Sequence, residues 1–582
     1  MGILSRFIPS PPHPVTEEFE KHSEDIEKAY NEQDRAPVPL ITWRTLVMAL
    51  LVSMGGIVFG YDTGQISGFL EMTDFQRRFG QYDSSDGFYS FSDVRSGLIV
   101  GLLSIGTLIG ALIAAPIADR WGRKPSISLW CAVFIIGVVI QISSATTWYQ
   151  VVIGRIIAGF GIGGLSVVVV MFQGETSPSH LRGSLVATYQ LFITIGILVS
   201  NIINYGTEYL HNSGQWRITM AVGFIFPLVL GLGIQLYSET PRFDYRHGNE
   251  KRAKETMAKV HGIPDTHVVI AREIREMEEK LEAERQGGNA AWYEIFTGPR
   301  MLYRTLLGVA IQALQQLTGA NFFFYYGTTI FQATGLSNSF ITQIILGAVN
   351  VACTFPGLWF VERFGRRKSL IVGGLWMFVC FMIFASLGHF KLRQPDGTNS
   401  SSVGSAMIVF ACLFIAAFAS TWGPFAWVVI SEMYPSRYRA RCMALSTASN
   451  WIFNFLIAFF TPFITSAIDY RYGYIFASCC FAGAVLVYFC LIESKGRTLE
   501  EIDTMYILYV KPWESENWVA PEGEDLVDAD KLDLARGGRS WNKRTQAGQG
   551  NTEQLETTTT VSPDHPALVT GAGHYGSAEI AE

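Results

Sequence analysis

A short charged box occurs twice in this chain, each time wedged between long stretches that hold almost no charge. Asp119-Arg120-Trp121-Gly122-Arg123-Lys124 follows one apolar stretch, and Glu362-Arg363-Phe364-Gly365-Arg366-Arg367 follows another in the second half. Both read acid, Arg, aromatic, Gly, Arg, base. Charge at that density does not lie in hydrocarbon, so each box must be a tight loop at a membrane face. Its recurrence makes the chain one membrane module used twice.

Composition agrees. Of 582 residues 49% are apolar, 13% aromatic and only 16% charged, against roughly a quarter charged in soluble domains. A net charge of −6 offers no footprint for nucleic acid. The eight cysteines, among them Cys131, Cys412 and Cys479-Cys480, sit in apolar stretches without the paired spacing of a disulfide framework or a metal site. No nucleophile–base constellation argues for an enzyme. Gly159-Phe160-Gly161-Ile162-Gly163-Gly164 has the spacing of a dinucleotide loop but lies inside an apolar stretch with no strand before it. It reads as small residues for close helix packing.

About twenty apolar residues cross a ~30 Å hydrocarbon core as a helix. Twelve such spans are predicted, near 44–65, 96–117, 126–145, 149–172, 184–205, 217–237, 303–331, 340–361, 368–388, 404–430, 442–467 and 472–492. The expected fold is an all-α membrane protein of 12 transmembrane helices in two six-helix bundles. Residues 1–43 form a polar tail without the basic start and apolar core of a secretory signal. Residues 44–237 form the first bundle, 238–301 a charged linker with short helices, 302–492 the second bundle, and 493–582 a tail expected to be mostly disordered.

The loops after spans two, four, eight and ten hold Arg120, Arg123, Lys124, Arg182, Arg363, Arg366, Arg367, Lys368, Arg437, Arg439 and Arg441. Basic short loops stay inside, so this side is expected to be cytoplasmic, and an even span count puts both tails there. Asn399-Ser400-Ser401 then falls in an outside loop as a glycosylation sequon.

The repeat extends further. Glu175-Thr176-Ser177-Pro178, with Arg182, has its counterpart in Glu432-Met433-Tyr434-Pro435, with Arg439. Acids at one set of helix ends can pair with arginines of the other, closing the cytoplasmic side when formed. The expected gate comprises Arg120, Arg123, Glu175, Arg182, Glu362, Arg363, Arg366, Glu432 and Arg439. The plainer reading is that these charges only set topology, but bases alone would do that.

With Ser238-Glu239-Thr240-Pro241-Arg242 after span six and Glu493-Ser494-Lys495-Gly496-Arg497 after span twelve, these motifs resemble the sugar porters of the major facilitator superfamily. Spans ten to twelve are most similar to fungal hexose transporters. The likeness runs from about Phe59 to Ile502 and departs at Ser238 and Ile492, where the family usually has Pro. It implies the major facilitator fold, with pseudo-symmetric bundles rocking about a central site. It also implies transport of a hexose such as glucose across the plasma membrane. A monosaccharide and the lipid bilayer are the partners, and no cofactor is implied.

Polar residues inside the spans supply the site. Gln312, Gln315 and Gln316 share one face of span seven, whereas Asn321 points away on a straight helix. Gly319-Ala320 between them predicts a broken helix that turns Asn321 toward the same cavity. The run Gln315-Gln316-Leu317-Thr318-Gly319-Ala320-Asn321 resembles the family's sugar-lining Gln-Gln-Leu-Ser-Gly-x-Asn, with Thr for Ser. The resemblance also implies that Gln190, Asn350, Trp427, Asn450 and Asn454 face sugar. Amides both donate and accept, as a ring of hydroxyls requires, and an aromatic face covers C–H surface. The competing reading makes these amides interhelical glue. Gly423-Pro424 predicts a break in span ten, and Phe322–Tyr326 serve packing and an outer lid, with Tyr325 and Tyr326 as candidate substrate contacts.

Asp62 in span one and Arg155 in span four are intramembrane charges and are expected to pair. In proton-coupled sugar porters an acid here carries the proton and the matching Arg modulates it. Fungal facilitative carriers keep the Asp too, so symport and facilitated diffusion both stay open, with a proton as the one candidate coupling ion. A sugar receptor on the same fold is the alternative from a different class. Such receptors carry a longer tail with repeated motifs, and none is evident here.

Overall fold

In the computed structural model, Thr42 opens the first span by accepting from the Thr45 N–H at 3.1 Å, a side-chain cap for an otherwise orphaned donor. The structure describes residue 39 and residues 42–83, 87–177, 182–286, 293–298, 300–332, 338–394, 399–435, 438–497 and 499–518. Helix α1 (Trp43–Glu71) is followed by α2 (Thr73–Phe79) and a small antiparallel hairpin, β1 (Gln81–Asp83) with β2 (Phe88–Ser90), in the register Gln81↔Ser90. Then come α3 (Asp93–Trp121), α4 (Arg123–Ile142), α5 (Trp148–Thr176), α6 (Arg182–Thr207), and the consecutive α7 (Gly214–Val222) and α8 (Ile225–Gly233) that together form span six.

The linker holds α9 (Pro241–Arg246), α10 (Glu250–His261), α11 (Val268–Gln286) and α12 (Glu294–Thr297). The second set is α13 (Met301–Leu317), α14 (Ala320–Gln332), α15 (Ser339–Arg363), α16 (Arg366–Phe390), α17 (Ser401–Ser420), α18 (Trp422–Met433), α19 (Arg439–Ile468), α20 (Tyr472–Cys490) and α21 (Leu499–Ile507).

By length and hydropathy ten helical stretches among the described residues are able to cross a membrane. One of them, Arg441–Cys490, is two spans joined by a turn at Asp469–Arg471, and span seven escapes that test because it is broken. All twelve predicted spans are therefore present among the described residues. Helix packing shows the internal repeat. Span one lies on span five and span two on span four, while span seven lies on span eleven and span eight on span ten. Between the halves, span two meets span eleven and span five meets span eight, the exchange expected of a pseudo-twofold axis.

The glycine run on α5 serves close packing. Added side-chain carbons at Gly159 and Gly163 would strike the backbone of α3 at Leu103 and Thr107, and at Gly161 one would lie 2.6 Å from Phe134 of α4. Small residues let backbones approach where no hydrophobic effect drives helices together.

Two expectations are corrected. Span ten breaks at Thr421 (φ −132°, ψ −88°) rather than at Gly423-Pro424. Proline lacks an N–H and its ring clashes with the carbonyl four residues back, so the interruption falls before it and Pro424 sits in the first turn of α18. The segment from Lys511, expected to be disordered, is folded as far as Trp518. Arg497 donates to the carbonyls of Ser515, Glu516 and Trp518, and its guanidinium lies 5.5 Å from the Trp518 ring. The rest of both tails lies outside the described residues.

Candidate functional site

Span seven is interrupted at Gly319, whose φ of +88° suits glycine alone and whose added carbon would lie 2.6 Å from the Phe476 ring. The break turns Asn321 back, and its Nδ2 donates to Gln316 Oε1 at 2.6 Å. Around this pair the amides of α13 and α19 form one network. Gln316 Nε2 donates to Asn450 Oδ1 at 2.9 Å. Asn450 Nδ2 donates to Gln312 Oε1 at 2.7 Å and to Gln315 Oε1 at 2.9 Å. Asn454 Nδ2 reaches Gln316 Oε1 at 3.3 Å, and Gln312 Nε2 reaches the Ala426 carbonyl on α18 at 3.2 Å.

Six expected sugar residues, Gln312, Gln315, Gln316, Asn321, Asn450 and Asn454, thus converge. Three others stand apart: buried Asn350 on α15 and half-buried Gln190 on α6 and Trp427 on α18 make no side-chain hydrogen bond to the network. Sequence reasoning missed Ser104, which donates to Asn454 Oδ1 at 2.7 Å from α3; the hydroxyl of Tyr325, a candidate substrate contact, donates to the same oxygen at 2.9 Å. A lone serine in an apolar helix carries no signal of its partner.

Asp62 and Arg155 meet, both fully buried, with Arg155 Nη1 3.6 Å from Asp62 Oδ2. Gln65 Nε2 donates to Asp62 Oδ1 at 2.8 Å. Among the described residues, none of the three guanidinium nitrogens of Arg155, nor Asp62 Oδ2, has a hydrogen-bond partner. A buried charge pair in that geometry is costly to hold and strongly destabilising to split.

At the face carrying the boxes, each half repeats one arrangement. Arg123 pairs with Glu175 at 3.0 Å and with Asp119 at 3.0 Å, and Thr240 Oγ1 donates to Glu175 at 2.7 Å. Arg366 grips Glu432 through Nε at 3.1 Å and Nη2 at 2.7 Å, and Ser494 Oγ donates to Glu432 at 2.6 Å. Each pair joins spans of one half, so it braces that half; closure across the halves is not made by the pair itself.

The box glycines Gly122 (φ +101°) and Gly365 (φ +83°) let Glu239 and Glu493 cap the next helix. Glu239 accepts from the Arg123 and Lys124 N–H groups at 3.0 and 3.1 Å, and Glu493 from those of Arg366 and Arg367 at 2.8 and 3.1 Å. Burial pushes the Glu239 carboxyl above its ordinary pKa, opposed by the N–H groups it accepts from. These caps were not foreseen, because their motifs lie far from the boxes in sequence.

Of the remaining expected gate residues, Arg120 is exposed, Arg439 donates twice to the Tyr434 carbonyl at 3.2 Å, and the Arg363 carbonyl accepts from Lys495 Nζ at 2.8 Å. The side chains of Arg182 and Glu362 lie outside the described set. Asn399 is exposed at the opposite face, bridged to Arg393.

At that opposite face the bonds cross between the halves. Ser67 and Thr328 hydroxyls lie 2.9 Å apart, Thr329 donates to Glu71 at 2.6 Å, Asn338 to Glu208 at 2.8 Å and Ser466 to Asp93 at 2.9 Å.

A family model described as sugar (and other) transporter matches residues 48–506. The high-affinity fructose transporter ght6 of Schizosaccharomyces pombe is 43% identical over 489 residues, covering 84% of this chain and 91% of that protein. A low-affinity glucose transporter of Kluyveromyces lactis is 44% identical over 539 residues, covering 91% and 94%. Among solved structures, the inward open conformation of the xylose transporter XylE from E. coli superposes with a TM-score of 0.65 at 24% identity, covering 79% of this chain and 99% of that one. The fold is therefore the major facilitator fold that the family resemblance implied. With its amide-lined centre and two braced halves, the chain belongs to the sugar (and other) transporter family, a family of multi-pass membrane carriers rather than enzymes.

Proposed function

We propose that this protein moves a hexose such as glucose across the plasma membrane by alternating access, with the box face and both tails in the cytoplasm. The amide network carries the proposal. It lies where the two halves meet and at the break of span seven, and it offers donors and acceptors on both sides of that break. Each neutral hydrogen bond is worth about 0.5–1.5 kcal/mol net. Several together reach the roughly 4 to 8 kcal/mol of millimolar to micromolar binding, weak enough for release. Relatives at 43% and 44% identity named as fructose and glucose transporters support the choice of a hexose.

The pair Asp62–Arg155 favours a second, more specific reading, proton-coupled uptake. Among the described residues Arg155 has its one ion pair with Asp62, so protonating Asp62 releases the pair and shifts the balance between conformers. One proton moved down ~100 mV supplies about 2.3 kcal/mol, roughly a fifty-fold accumulation. Labelled glucose uptake in a transporter-deficient yeast, with and without a protonophore, tests both readings. Uptake that collapses with the protonophore supports coupling, and uptake that stops at equilibrium supports facilitated diffusion. No uptake despite surface expression sinks the transport reading in favour of a receptor. A mass loss on glycosidase treatment that disappears in Asn399→Gln would place that loop outside.

A further inference from the structure

One seam between the halves, among several, runs from the outer rim to the amide network. It is made by one face of α3 against α19. At the rim Ser466 donates to Asp93 at 2.9 Å. One turn inward, an added carbon at Gly97 would lie 2.5 Å from the Phe459 carbonyl. At Gly101 it would lie 3.3 Å from both Phe455 and Phe459. The next turn ends in Ser104, buried and donating to Asn454 Oδ1 at 2.7 Å. Positions 97, 101 and 104 fall on one helical stripe, so the seam is continuous and its innermost bond is the one that touches the amide network.

The Asn454 oxygen is fully engaged there. It accepts from Ser104 of the first half and from Tyr325 of the outer half-helix α14, while the amide nitrogen donates to Gln316. An amide oxygen has two lone pairs, and both are used. This structure, with its rim bonded shut, therefore leaves that oxygen no capacity for a sugar hydroxyl. Parting α3 from α19 at the rim frees one lone pair at the centre.

Resting on the transport reading above, we infer that Ser104 is a positioning residue of the cycle. Its hydroxyl takes the Asn454 oxygen when the outer side is shut and yields it to substrate when that side opens, coupling occupancy of the site to closure of the seam. Ser104 itself need not touch substrate. Its bond exists only in the outer-closed state, so removing it shifts the conformational balance toward the outer-open state.

Two measurements test this. Asp93→Cys with Ser466→Cys reports closure of the rim by disulfide formation, with each single variant as control. Ser104→Ala should slow that cross-linking about two- to ten-fold, the worth of one neutral hydrogen bond. An unchanged rate overturns the inference whether or not the protein carries hexose. In uptake, Ser104→Ala should lower the maximal rate by a similar factor with an equal or lower KM. The same change made on top of Asn454→Ala should add nothing, because the acceptor is already gone. Full additivity with Asn454→Ala also overturns the inference. If cross-linking slows as expected but the parent protein takes up no hexose, the transport reading fails and the seam stands.

Discussion

The two halves share one packing scheme yet treat their buried polar groups in opposite ways. The second half joins Gln312, Gln315, Gln316, Asn321, Asn450 and Asn454 into a network in which neutral amides answer one another at 2.6–3.3 Å. Inside the spans of the first half, Asp62 and Arg155 lie fully buried 3.6 Å apart, and among the described residues the guanidinium nitrogens have no hydrogen-bond partner. Neutral amides exchange a partner for a sugar hydroxyl at little net change, because each bond lost is replaced by a similar one. A charge pair has no such substitute and responds chiefly to a change of charge. On this comparison we propose that substrate recognition belongs to the second half and any coupling to the first.

The comparison breaks most readily at Arg155. Arg155→Ala leaves Asp62 in the bundle without its ion-pair partner, an expected loss of up to about 3–5 kcal/mol, read as a lower melting temperature and little uptake. The double change Asp62→Asn with Arg155→Gln should recover most of that stability, and no recovery would deny that the two act as a pair. Asp62→Asn by itself sharpens the division of labour. Accumulation, worth about 2.3 kcal/mol for one proton at ~100 mV, should vanish while sugar exchange continues. Full accumulation by that variant would remove Asp62 from coupling.

In the second half, Gly319→Ala forces a side chain into a left-handed position against Phe476 and should cost about 1–3 kcal/mol, with weaker sugar binding because Asn321 is displaced. Gln316→Ala should weaken binding by roughly 1–2 kcal/mol, the worth of one or two neutral bonds; unchanged affinity would count against the network as the sugar site. The smallest effect is expected at the box face. Glu432→Gln weakens a pair whose members are 14% and 23% exposed, so solvent screening holds the change to about 1 kcal/mol or less. It should appear in transport rate rather than in affinity.

The spans and their number were legible because a membrane helix is a local property: twenty apolar residues must satisfy their backbone internally wherever they end up. The break of span seven was legible for the same reason, since Gly319 announces it without reference to a neighbour. The break of span ten was displaced to Thr421 because proline acts on the carbonyl one turn earlier. Glu175 and Glu432 were visible as acids repeated near the boxes. Glu239 and Glu493 were visible only as letters of a motif, and their role as caps needed the bundle to bring them to Gly122 and Gly365.

Alone, the order of residues settled that the chain is a doubled set of membrane helices with polar groups in particular spans, since hydropathy and repetition are written along the chain. Tertiary structure decided which amide answers which, that the acid–arginine pairs brace each half from within, and that Ser104 of one half reaches Asn454 of the other. Hydrogen bonds and ion pairs act over about 3 Å, and only packing brings residues from distant spans within that reach.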